Sequence, residues 1–285
     1  MPRETVRDLI ARSALADRKV LVTGASGAFG SQTLRLAREL GASALGLDRK
    51  PADGVIACDV SDGEQVRAAV GEAIEQLGGL DILIHFAGIG PAVDVGQPPG
   101  ADVSEALEVN LLGTWRVTAA ALPALLERRG RVIITASLLA SVTLPFTGAY
   151  TVSKRALTGY ADVLRAEYGS HLSVTTVYPG YVDTPIHERS RAVGVSLDGL
   201  VPAERVRDTV TTVLRAATAA RPPRDVASTR LGSAALRLAR HAPAVLDRAL
   251  AARMGATMRR GTYAGAELAA GLRTRLNSQG KETRA

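Results

Sequence analysis

Thr23-Gly24-Ala25-Ser26-Gly27-Ala28-Phe29-Gly30 stands between a β-branched run, Lys19 to Thr23, and a helix-like run, Ser31 to Leu40, closed by Gly41. Glycines at 24, 27 and 30 allow a tight turn and a close backbone approach to a pyrophosphate. The helix that follows offers unpaired N–H groups and the positive end of its dipole. Three glycines in a turn are common. A strand before, a helix after and an acid at the end of the next strand give this loop its meaning. That acid is Asp48. It is placed to accept hydrogen bonds from ribose hydroxyls, and its charge would repel a 2′-phosphate, which favours NAD(H) over NADP(H). Arg49, next to it, could pair with that phosphate, so NADP(H) stays open.

Outward from this loop, short apolar runs alternate with helix-like ones. Strands are expected at 44–47, 55–57, 80–86, 131–135 and 173–177, and helices at 62–77, 104–127, 150–168 and 202–219. The alternation argues for βαβ units and a parallel sheet. Leu80 to Phe86 is nearly all apolar, as in strands covered on both faces. The expected fold is α/β: a doubly wound, Rossmann-like parallel sheet in three α/β/α layers, spanning 19–220. Residues 1–18 read as a lead segment. Arg221-Pro222-Pro223-Arg224 breaks the chain, and 221–285 reads as a basic, Ala/Arg-rich helical extension. Its helices are expected at 231–240 and 244–260, with a weaker one at 263–276 and a frayed end at 278–285. Leu246, Leu250 and Met254 form a stripe, as do Leu268, Leu272 and Leu276. Such a stripe packs on its own domain or a neighbouring subunit, guards an apolar pocket, or lies on a membrane surface. The first reading is preferred, and peripheral membrane contact stays open.

Apolar residues form 46% of the chain, enough for a sizeable core. The single cysteine, Cys58, excludes an intramolecular disulfide and suits a reducing compartment. Met1 to Asp17 carries charges throughout and has no apolar run of signal-peptide length, and no stretch of the chain approaches the roughly 18–20 consecutive apolar residues of a membrane span. A cytoplasmic protein is expected. Charge is uneven: residues 224–285 carry twelve basic and four acidic side chains, the remainder 23 and 24. No zinc-finger spacing or aromatic–basic interleaving is present, so neither a metal site nor nucleic-acid binding is expected.

Tyr150 and Lys154, four apart on one expected helix, share a face. A nearby ammonium favours the phenolate, so the lysine is expected to lower the tyrosine pKa and fit it for proton exchange with a substrate oxygen. Ser137 follows the fifth strand, at the sheet edge where open α/β sheets bind ligands. Its hydroxyl can donate to a carbonyl oxygen gaining charge. Asn110 lies in the preceding helix. A buried amide there either holds a water beside the lysine or makes a helix-to-helix hydrogen bond, and composition does not separate the two.

Together with Asp59-Val60, Ala87-Gly88 and Pro179-Gly180-x-Val182-x-Thr184, these residues make the chain resemble the short-chain dehydrogenase/reductases from about Lys19 to Ala219. The resemblance implies Tyr150 as general acid/base. Lys154 would bind the nicotinamide ribose and tune the tyrosine, Ser137 would orient the substrate oxygen, and Asn110 would support a proton relay. It also implies cofactor contacts from Gly24, Ser26, Gly27, Phe29, Gly30, Asp48, Arg49, Asp59, Val60, Ala87, Gly88, Pro179, Gly180, Val182 and Thr184. A homodimer or homotetramer built on the two long helices is implied as well. Two departures stand out: the middle glycine is Gly27 rather than residue 28, and His85-Phe86 precedes Ala87-Gly88 where this family's single-domain members carry two asparagines. Both look like the longer sugar-nucleotide branch. The wall 138–146 is apolar and 185–200 would be the lid. The expected function is NAD(P)-dependent hydride transfer between an apolar alcohol and its ketone or aldehyde. The alternatives are a sugar-nucleotide epimerase or dehydratase, and a non-catalytic dinucleotide sensor with a basic interaction tail.

Overall fold

The computed structural model describes residues 15–198, 200–260, 265–271 and 274. Most of the expected lead segment, much of the weak helix at 263–276, and the expected frayed end lie outside the described residues.

Seven strands run parallel: β1 (Lys19–Thr23), β2 (Ser43–Asp48), β3 (Val55–Ala57), β4 (Ile82–His85), β5 (Arg131–Thr135), β6 (Ser173–Tyr178) and β7 (Asp225–Ala227), in the order β3-β2-β1-β4-β5-β6-β7. Helices α1 (Ala28–Glu39) and α7 (Val206–Thr218) cover one face. Helices α2 (Gly63–Leu77), α4 (Thr114–Glu127) and α5 (Gly148–Tyr168) cover the other. Successive strand residues point to opposite faces. Accordingly Val20, Val22, Ile82, Ile84 and Ile133 join the α1/α7 core, while Leu21, Leu83, Val132 and Ile134 join the α2/α4/α5 core. Double-sided burial is why β4 is apolar at nearly every position. The N-cap of α2 is Asp62, whose carboxylate accepts from the Glu64 and Gln65 amides at 2.8 and 3.1 Å.

The strand order reverses at β1/β4, and a crevice opens there at the carboxyl ends of the strands. Gly24 turns out of β1 at φ +65°, and a Cβ on it would lie 2.6 Å from the Ala87 amide nitrogen. Gly30 packs as tightly, with a Cβ position 2.2 Å from the Gly24 carbonyl oxygen. Gly24 lets the turn press against the chain leaving β4, and Gly30 lets α1 press against that turn.

Two elements differ from the sequence expectation. The long helix expected at 104–127 begins at Ala101, as α3 (Ala101–Leu107), and continues through a wide π turn, Glu108–Gly113, before α4. Tertiary contacts open that turn. Val60 presses on Gly113, where a Cβ would meet Val60 Cγ2 at 2.7 Å, and the Asn110 amide is held from outside the helix. At 27 residues, 101–127 is long and apolar enough by length and composition to cross a membrane, yet Ala106, Val117, Ala121 and Leu125 are fully buried in the fold.

β7 lies inside the stretch read as an appended extension, and it pairs Thr176 with Asp225 through Tyr178 with Ala227. Three residues are too few to show an alternation. Their placement comes from neighbours: Thr175 Oγ1 donates to the Pro223 carbonyl (2.6 Å) and Arg165 to the Arg224 carbonyl (2.8 Å). Beyond it, α8 (Arg230–His241) and α9 (Pro243–Arg259) fold back over the carboxyl edge of the sheet. Met254 is buried with Leu144, Phe146, Tyr181, Val195 and Leu200, so the α9 stripe packs on its own chain.

Gly71, mid-helix in α2, has nothing within 4 Å of its Cβ position. Gly71→Ala should therefore stabilise the fold by about 0.5–1 kcal/mol. Gly30→Ala should destabilise it by about 1–3 kcal/mol through backbone overlap. Urea unfolding of the two variants side by side checks both signs.

Candidate active site

Ser137 is pinned where β5 and β6 end. The Ala136 amide donates to Val177 (2.9 Å) and the Leu138 amide to Pro179 (2.8 Å). The Ser137 hydroxyl oxygen accepts from the Leu139 amide at 3.1 Å. Tyr150 and Lys154 stand on the first turns of α5, facing the same sheet end. Tyr150 lies within hydrogen-bonding reach of Ser137; desolvation pushes its phenol up to about 12, and Ser137 opposes that rise. Lys154 is 4% exposed. Its Nζ donates to the Thr135 carbonyl at 2.9 Å and lies 5.7 Å from the centroid of the Tyr150 ring. Burial pulls the lysine down to about 8. The expected depression of the tyrosine pKa is thus reversed: around the phenol, desolvation outweighs the Ser137 hydrogen bond, and Tyr150 is a protonated phenol at neutral pH.

Asn110 is fully buried. Its Oδ1 accepts from the Ile89 amide (2.8 Å), and its Nδ2 donates to the Ile89 carbonyl (3.0 Å) and to Ser153 Oγ (2.8 Å). Those bonds make the side chain a clamp between α5 and the loop after β4. Gly88 sits inside the clamp, its Cβ position 3.1 Å from Asn110 Oδ1 and 3.4 Å from Lys154 Nζ.

A cavity of about 800 Å³ joins these groups to the glycine loop. Gly24, Gly27, Phe29 and Gly30 line one end, with Arg49. Gly88, Ser137, Tyr150, Lys154, Pro179, Gly180, Val182 and Thr184 line the middle. Ser26, Asp48, Asp59, Val60, Ala87 and Asn110 do not reach its wall. Asp48 instead braces the glycine loop: its carboxylate accepts from the amides of Ser26 and Lys50, both at 3.0 Å. Burial alone would raise Asp59, but hydrogen bonds from Ser61 and the charge of Arg49 hold its carboxyl below the usual range. Val60 is buried against the π turn. Ala87 donates its amide to Thr23 Oγ1 at 3.3 Å.

A family model described as short chain dehydrogenase matches residues 18–193. The chain is 33% identical over 172 residues to a 3-ketodihydrosphingosine reductase of Bacteroides thetaiotaomicron, covering 58% of this chain and 64% of that one. It is 33% identical over 194 residues to the oxidoreductase UcpA of Salmonella typhimurium, covering 61% and 73%. The chain thus spans just under two thirds of the first relative's length. A solved short chain dehydrogenase from Burkholderia cenocepacia, in complex with NADP, superposes with a TM-score of 0.72 at 26% identity, covering 83% of this chain and 98% of that one. The Thermoplasma acidophilum aldohexose dehydrogenase shares the fold, with a TM-score of 0.69 at 21% identity.

This chain belongs to the short-chain dehydrogenase family.

In this short-chain dehydrogenase, His85 is a structural residue. It is buried, its Nε2 lies 3.0 Å from Thr118 Oγ1, and burial, helped by the Lys154 charge, pulls its pKa down to about 3. Sequence reasoning missed Glu204. Its carboxylate accepts from the Gly180 amide (3.0 Å), Thr229 Oγ1 (2.6 Å) and Ser228 Oγ, tying the Pro179-Gly180 turn to the start of α8. A lone glutamate near a helix start carries no local sign of that role. Also unforeseen is the latch on the expected lid. α6 (Glu188–Ala192) presents Arg189 to Asp102 (2.5 Å) and Glu105 (2.7 Å) on α3, while Ser190 Oγ donates to the Gly90 carbonyl (2.8 Å).

The buried ammonium has a consequence for stability. An unfolded lysine holds its proton up to about pH 10.4, the folded Lys154 only to about 8. Below pH 8 the fold carries the full penalty of the buried charge. As pH rises from 8 to about 10.4 the folded state releases its proton first and the penalty fades. Lys154→Met should therefore unfold at higher denaturant than the parent at pH 7, by about 1–3 kcal/mol. That advantage should shrink by pH 10, which denaturant melts at the two pH values will show.

Proposed function

We propose that this protein is an NAD(P)-dependent oxidoreductase interconverting an apolar alcohol and its ketone or aldehyde, with Tyr150 as general acid/base. One observation carries the reading: a single cavity runs from an uncapped helix N-terminus, past Ser137, Tyr150 and Lys154, to an apolar wall. The residues fit a dinucleotide. No side chain caps α1, no acid sits in its first turn, and Gly27 presents bare backbone with only the Gly24 carbonyl oxygen within 4 Å of its Cβ position. That is an anion cradle for a pyrophosphate. Bound there, a nicotinamide dinucleotide supplies or takes up the hydride.

The chain's own groups handle the oxygen. When a carbonyl carbon gains the hydride, its oxygen gains the electron pair of the C=O bond and needs a proton. Tyr150, protonated at neutral pH, donates that proton from its phenol oxygen, and alcohol oxidation runs the same path backwards. The Ser137 hydroxyl orients the substrate oxygen. Lys154, held on Thr135, stabilises negative charge left on the tyrosine. Leu139, Val142, Leu144, Leu246 and Leu250 form the far wall, which suits an apolar carbonyl compound and offers a sugar nucleotide little.

For the cofactor, the Asp48 carboxylate beside the glycine loop favours NAD(H), against Arg49 in the cavity wall. NADH should bind more tightly than NADPH in fluorescence titration, and Asp48→Ala should move the ratio toward NADPH by roughly tenfold. Tyr150→Phe should keep cofactor binding and lose roughly 10²–10⁴-fold in hydride transfer over a panel of lipophilic ketones. Equal turnover by the variant would sink the assigned role.

The outer face of α4 and α5 supports self-association. Trp115 is 52% exposed and stacks on Tyr160 at 4.7 Å, and Val152 and Val163, eleven residues apart on one side of α5, are both exposed. The proposed assembly is a homodimer or homotetramer through these helices. Val163→Arg should lower the mass measured by light scattering to that of a smaller assembly.

A further inference from the structure

Helices α8 and α9 do more than close the cavity. Leu231 lines it and is also 61% exposed, so it stands on the rim. Leu238, seven residues on, lies on the same side of α8 and is exposed, and Val245 at the start of α9 is exposed as well. Arg230 and Arg237 flank the row on α8, and Arg248 follows Val245 on α9; all three are exposed. From 230 to 253 the chain has five arginines and one acid, Asp247. Beneath, Leu246 and Leu250 turn into the cavity. An exposed apolar row edged by arginines therefore starts at the cavity rim and runs outward along α8.

We propose that this rim docks on the surface of an anionic lipid bilayer. The apolar row would enter the headgroup boundary while the arginines meet lipid phosphates. Charge complementarity favours this occupant over a second copy, because a two-fold contact would set each arginine edge against its like. Leucines at the centre of the patch are unsuited to a nucleic-acid backbone, which rewards charge alone. Docked this way, the cavity opens toward the acyl layer, and an apolar substrate passes from bilayer to site without crossing water. Delivery rests on the proposed activity; docking does not.

Flotation of the full chain with vesicles tests the docking, using phosphatidylcholine alone and phosphatidylcholine mixed with phosphatidylglycerol. The protein should float with the anionic vesicles and not the neutral ones, less so at high salt. Two double variants avoid the cavity lining: Leu238→Glu with Val245→Glu, and Arg237→Glu with Arg248→Glu. Each should lower the bound fraction roughly tenfold or more, with unchanged thermal unfolding and unchanged turnover of a water-soluble ketone. Wild-type protein that ignores anionic vesicles overturns the proposal, as does retention of binding by both variants. A drop in assembly size for the glutamate pair without any vesicle effect would assign the patch to a second copy instead. DNA retention without vesicle binding would assign it to nucleic acid. Flotation needs neither cofactor nor turnover, so failure here and failure of the dehydrogenase reading are separate results.

Discussion

A charged ammonium inside the fold is the constraint around which the site is arranged. Lys154 is nearly inaccessible and has one protein acceptor, the Thr135 carbonyl at the end of β5. A buried charge is tolerated only where rigid neighbours hold its partner in place. Three devices supply that rigidity. β5 is an interior strand of the sheet, Leu157, Ala161 and Leu164 of α5 share a core with its Val132 and Ile134, and Asn110 clamps the loop after β4 to Ser153 one residue before the lysine. The π turn at 108–113 belongs to the same arrangement, since it is where Asn110 leaves the regular helix ladder. Stability is given up at this point in exchange for a preorganised positive charge beside Tyr150.

The second organising feature is the way distant segments complete one cavity. The glycine loop belongs to the first βα unit, Ser137 to the fifth strand, the Pro179-Gly180 turn to the sixth, and the roof to α8 and α9. Glu204 binds the last two regions together, with one carboxylate receiving hydrogen bonds from Gly180, Ser228 and Thr229. The lid is latched by Arg189 across to α3, and its apolar residues Val195, Leu197 and Leu200 share a core with Met254 of α9. Lid and roof are thus one packed body above the site.

Much of the frame was legible along the chain, because strands buried on both faces must be apolar and helices must repeat near 3.6. β1, β3 and β5 lie at the residues expected, and Asp62 and Gly78 bound α2 as a cap and a left-handed stop. Tyr150 and Lys154 were legible through helical spacing, and Ser137 through its place after a strand. Less legible was whatever depends on a partner far along the chain. Asp225–Ala227 shows no pattern of its own and becomes a strand only because β6 leaves an open edge beside it. The 101–127 run reads as one helix, since a π turn caused by Val60 and Ile89 leaves no mark in local periodicity.

The amino-acid order by itself determined the sheet's parallel α/β class, the glycine turn after the first strand and which polar side chains stand at the sheet's carboxyl end. Those depend on local geometry: turn residues, periodicity and the position of a side chain relative to a strand end. The tertiary structure alone decided the protonation of the site, the use of Asn110 and Asp48 as braces, and the building of the far cavity wall by C-terminal leucines. Each of these is set by burial or by a contact between residues tens of positions apart. Desolvation moved Tyr150 up and Lys154 down, against what their spacing implied, because the cost of removing a charge from water depends on everything packed around it.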